Sequence, residues 1–105
     1  NAEANPRAEG ETGAKKDARR DRAETRRAQA PLRKEARAAE HLLTQLGEER
    51  AKLEARLADP ALYEKGDTAE ITRINTRLAA LTAQESAAEE RWLAAEAELE
   101  AANSD

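Results

Sequence analysis

The sequence predicts an all-α protein, a two-helix antiparallel coiled-coil hairpin preceded by a basic N-terminal arm that is disordered or partly helical. Leu32, Ala36, Ala39, Leu43, Leu46, Arg50, Leu53 and Leu57 recur at alternating steps of four and three, and so do Ile71, Ile74, Leu78, Leu81, Glu85, Ala88, Trp92, Ala95 and Leu99. A period of 3.5 residues places each set in a narrow stripe along one helix face, the spacing at which two helices coil around each other. Composition agrees: 38% of residues are charged, mean hydropathy is -0.95, and there is no Phe or Met, with one Trp and one Tyr. Burial must therefore come from Leu, Ile and Ala in a thin seam, so the molecule is expected to be elongated.

Residues 1–13 hold Pro6, Gly10 and Gly13 and no large apolar side chain, so nothing there offsets the entropy of ordering. Disorder is the expectation. Residues 14–30 are good helix formers without an apolar stripe, helped by pairs such as Asp17 with Arg20, and read as a nascent helix or flexible basic linker. Pro31 suits a first helical position, because its φ is already helical and its missing N–H has no partner to lose there. The hairpin is accordingly expected over residues 31–102, with helices at 31–58 and 68–102 joined by a connector at 59–67. Gly47 falls inside the first helix as a tolerated weak point costing roughly 1 kcal/mol relative to Ala.

The connector is long for a helix-to-helix turn and is expected to carry structure of its own. Asp59-Pro60 reads as an N-cap and first-turn proline opening a single turn through Leu62 and Tyr63; Gly66 frees the backbone; Asp67 caps the second helix, with Glu70 reaching back as in a capping box. Size matching proposes a register in which facing residue numbers sum to about 131, so that Trp92 lies opposite Ala39 and large meets small. The same register leaves Ile71 beyond the first helix, where Leu62 and Tyr63 would fold over it as a lid. It also puts Arg50 and Glu85 in adjacent layers, as a pair that fixes the register.

The net charge of -4 conceals an asymmetry. Residues 1–14 carry a net -2 and residues 38–105 a net -8, whereas residues 15–37 carry +6 from ten positives against Asp17, Asp21, Glu24 and Glu35. The positives are Lys15, Lys16, Arg19, Arg20, Arg22, Arg26, Arg27, Arg33, Lys34 and Arg37. Such a block can neutralise phosphates and release condensed counterions without base-specific geometry, so these ten are the candidate nucleic-acid-binding residues.

Catalytic and metal-binding residues are not expected. The absence of Cys removes thiolate sites and disulfides. His41, the only histidine, has Thr44 and Gln45 where further ligands would stand, so an exposed helix residue is expected. Ser86 and Ser104 have no neighbouring base, a thin hairpin offers no enclosed pocket, and no Gly-rich phosphate loop occurs. The acidic residues of the hairpin read as a solvated surface. Trp92 and Tyr63 could stack on bases, but the first falls on the seam and the second beside a cap, so packing is expected of both. There is no long apolar run for a membrane span and no signal-peptide start, which points to a cytoplasmic setting. The start at Asn1 suggests a piece of something longer.

Ala30-Pro31-Leu32-Arg33-Lys34-Glu35, the heptads after it, Leu57-Ala58-Asp59-Pro60-Ala61-Leu62-Tyr63 and Glu89-Glu90-Arg91-Trp92-Leu93 together resemble the C-terminal domain of ABC-F ATP-binding cassette proteins, the Uup-like group, over about residues 15 to 100. The resemblance implies a parent with two tandem ATPase cassettes and no membrane domain, using ATP and magnesium; no cofactor is expected in this piece. It further implies DNA or ribosomal RNA binding through the basic lead-in, with contact confined to that end because the hairpin is acidic. The competing expectation is a protein–protein interaction coiled coil, docked on its own cassettes or another partner. A monomer with no membrane partner is expected. A tRNA-contacting arm like that of seryl-tRNA synthetases is a weaker third reading, since it needs a synthetase core.

Overall fold

A computed structural model describes residues 6–104 and contains three helices in the order α1 (Pro6–Ala58), α2 (Pro60–Glu64) and α3 (Thr68–Asn103). α3 folds back along α1 to form the hairpin, and α2 caps its tip. At 1.5 Å per residue α1 is ~80 Å long. No described helix is long and apolar enough to cross a membrane.

The core is the predicted seam. Ala36, Ala39, Leu46, Ile74, Leu81, Ala88 and Ala95 are buried, and Leu43, Leu53, Leu57, Leu78, Trp92 and Leu99 are half-buried beside them. Arg50 and Glu85 do meet: Arg50 Nε and Nη2 donate to one Glu85 carboxylate oxygen at 2.9 and 2.6 Å, and Nη2 also donates to Thr82 at 2.7 Å. The hydrogen bond to Glu85 holds the Arg50 guanidinium more firmly protonated than usual. Its long stem covers the seam while its head lies at the rim.

Three further ion pairs lie along the other edge of the seam. Arg91 reaches Glu35 at 2.7 Å, Arg77 holds Glu49 by two bonds of 2.5 and 2.7 Å, and Arg56 pairs with Glu70. Their residue numbers sum to 126, and those of Arg50 and Glu85 sum to 135, values that bracket the expected 131. The signs are Glu on α1 in the first two and Arg in the third, a pattern that opposes other registers. Trp92 sits in the seam as expected, although its indole N–H is buried and meets no acceptor among the described residues.

The connector forms as its capping residues require. Asp59 accepts a hydrogen bond from the Ala61 N–H at 3.0 Å and starts α2 at Pro60; Gly66 adopts φ +66, the left-handed region that favours glycine; Asp67 accepts from the Glu70 N–H at 3.0 Å and starts α3. Two details differ from expectation. The Glu70 carboxylate turns to Arg56 instead of reaching back to close a capping box. Leu62 is buried at the tip, but Tyr63 is 54% exposed, so the lid consists of Leu62.

The start of the first helix also differs. Pro31 lies inside α1, and residues 31–58 are its continuation instead of its beginning. Proline in a helix interior removes the bond to the carbonyl four residues back and crowds it, at about 3 kcal/mol. Arg33 Nη2 donates to the Arg26 carbonyl at 3.0 Å, next to the carbonyl that Pro31 deprives of a donor, and Gln29 is tied at 2.8 Å to Asn103 at the end of α3. With good helix formers on both sides, the chain passes through proline without breaking. Residues 1–5 of the segment expected to be disordered lie outside the described residues, and residues 6–13 open α1.

Candidate nucleic-acid interface

The continuity of α1 determines where the basic residues point. Gln29 is buried against Asn103, and α3 ends there, so the part of α1 before Gln29 projects beyond the hairpin as a single helix. The seam positions that would continue toward a partner helix are Thr25, Arg22, Ala18 and Lys15, too polar to form an apolar stripe. The coiled coil therefore stops at the Gln29–Asn103 hydrogen bond.

An α-helix turns about 100° per residue, which places all ten candidate residues within a sector of about 160°. Asp17, Asp21, Glu24 and Glu35 occupy the remaining side, within about 60° of one another. Residues interspersed in the sequence are thus separated by face. Glu35 is in addition engaged by Arg91, which holds its carboxyl below the usual carboxylate range through their hydrogen bond. Asp17 pairs at its margin with Arg20 at 3.3 Å, an exposed contact.

Lys15, Lys16, Arg19, Arg20, Arg22, Arg26 and Arg27 are exposed on the projecting helix. Lys34 and Arg37 continue the same face, also exposed, beside the hairpin. Arg33 differs: it is half-buried, donating to the Arg26 carbonyl and, at 3.4 Å, to Gln29. Its role at the proline was not visible in the sequence, where it looked equivalent to the other nine.

A groove of about 620 Å³ at the open end of the hairpin is lined by Gln29, Arg33, Leu93, Glu96, Leu99 and Asn103, among others, and lies open to solvent. No group of His, Asp or Glu among the described residues is arranged to hold a metal ion. His41 is exposed on α1.

The chain matches the family model described as the ABC transporter C-terminal domain over residues 27–100. No curated protein and no solved structure matches it. The matched span contains all of the hairpin except the last three residues of α3, together with Arg27, Arg33, Lys34 and Arg37, and leaves most of the projecting helix outside. On that match, the chain belongs to the ABC transporter C-terminal domain family.

Proposed function

We propose that this is the non-catalytic C-terminal domain of a cytoplasmic tandem-cassette ABC-F ATPase, and that the basic face of α1 binds the phosphates of DNA or ribosomal RNA. The hairpin acts as a rigid spacer, and ATP and magnesium belong to the cassettes of the parent. The observation that carries this reading is the sorting of charge over residues 15–37 of α1, with ten cations, nine of them exposed, on one side of the helix and four acids on the other. Cations on an exposed helix neutralise phosphates at no cost in desolvated burial, and they position nucleic acid without choosing its sequence.

The test is a titration of the chain with fluorescent duplex DNA and structured RNA at several salt concentrations, beside a variant with Arg19, Arg22, Arg26 and Arg27 changed to Ala. Binding should weaken steeply with salt, and the variant should lose roughly 3 to 4 from the slope of log K against log salt, at about 0.9 per phosphate contact. Absence of binding to either nucleic acid at low salt refutes the reading. Tyr63, 54% exposed at the tip, and Leu93, 52% exposed on α3, favour a second reading in which the hairpin docks on its own cassettes. Unchanged ATPase activity of the parent after Tyr63→Ser and Leu93→Ser would oppose it.

A further inference from the structure

We infer that the projecting part of α1 lies in the major groove of B-form duplex DNA, with its cations divided between the two phosphate walls. This rests on the nucleic-acid reading above and narrows it to one form. The basic face consists of two rows. Lys15, Arg19, Arg22 and Arg26 fall within about 60° of one another, and Lys16, Arg20 and Arg27 form a second row about 110° around the helix. The positions between the rows on this stretch and the next turn are Ala23 and Ala30.

Two rows set this far apart point away from each other, so a single strand lying on one side meets one row. A groove meets both. The B-form major groove is about 12 Å wide and admits an α-helix, whose diameter with side chains is about 10–12 Å. Alanines between the rows let the backbone approach the groove floor while the longer Arg and Lys stems spread to its rims. Because they present no hydrogen-bonding group to base edges, the contact should be tolerant of sequence.

The alternatives lack what they need on this face. Single-strand binding relies on aromatic stacking. Trp92 is committed to the seam, and Tyr63 is at the opposite tip, at least ~45 Å from Arg27 along α1. The major groove of A-form RNA is deep and narrow and does not admit a helix in this way.

The experiment compares the chain on a duplex DNA, a duplex RNA of the same sequence and the single DNA strand, with dimethyl sulfate methylation of guanine N7 as a major-groove probe. A second protein carries Ala23→Leu and Ala30→Leu, which keep helix propensity and charge but fill the space between the rows. Duplex DNA should bind tightest, with N7 protected, and the double variant should bind duplex DNA about tenfold more weakly with single-strand binding unchanged. Equal affinity for all three, tighter binding of duplex RNA or of the single strand, reactive N7 in the bound duplex, or an unaffected double variant would each overturn the groove assignment while leaving nucleic-acid binding intact. Failure to bind any of the three at low salt would instead overturn the reading on which it rests.

Discussion

Leu81 is fully enclosed between the helices, whereas Leu93, on the same helix, is 52% exposed. Changing each to Ala removes the same atoms from opposite environments. For Leu81 the lost transfer free energy is about 2.4 kcal/mol, at roughly 0.8 per methylene for three carbon groups. A cavity adds to this, but the proposed register places the flexible stem of Arg50 opposite Leu81, where it can sink into the gap, so the total should stay near 3 kcal/mol. For a hairpin of this size that corresponds to a fall in Tm of about 12–24 °C. Leu93→Ala should remain within about 0.5 kcal/mol. Thermal and urea unfolding followed by far-UV circular dichroism measures both. Similar losses for the two variants would refute the seam as drawn, and a Tm that rises with protein concentration would refute its closure within one chain.

Asp67→Ala removes the acceptor for the Glu70 N–H and should cost about 1 kcal/mol, read from the urea midpoint. Gly66→Ala places a side chain at φ +66 and should destabilise by about 1 kcal/mol even though the surrounding space is open. Acidification tests the edge ion pairs. The hydrogen bonds from Arg91 and Arg77 lower the Glu35 and Glu49 carboxyls below 4.5, so their contribution is complete above that value and is lost as pH falls through the lowered folded values. Tm should therefore be level near neutrality and decline in acid, and replacing Arg77 and Arg91 together with Ala should flatten that decline.

The seam was legible because a period of 3.5 survives any choice of rotamer, and burial follows the predicted stripes closely from Ala36 to Ala95. Arg50 and Glu85 were legible for the same reason, as charges standing in apolar positions. Pro31 was misread because a local rule about first-turn prolines competes with the helix propensity of the residues before it, and a single sequence gives no weighting between them. The edge pairs Glu35–Arg91 and Glu49–Arg77 carried a signal, opposite charges beside the seam at matching heptad positions, that becomes specific once the register is known. Tyr63 could not be placed from its neighbours, since one turn of helix decides whether it or Leu62 covers the tip. The basic residues were legible as a block but not as a face. Their separation from Asp17, Asp21 and Glu24 exists only if the arm is helical, and its alignment with Lys34, Glu35 and Arg37 only if that helix runs unbroken through Pro31 into the hairpin.

That unbroken run gives α1 the character of a keyed shaft. The direction of the cations is set by the direction of the seam, through nothing more than the number of residues between them. Inserting one residue ahead of Gln29 would swing the arm by about 100° while every hairpin contact stayed in place, and inserting seven would return it to within about 20° of its original bearing. Spacing along the sequence is thus converted into orientation in space, and the length of the arm becomes as much a determinant of what the hairpin presents as the identity of its residues.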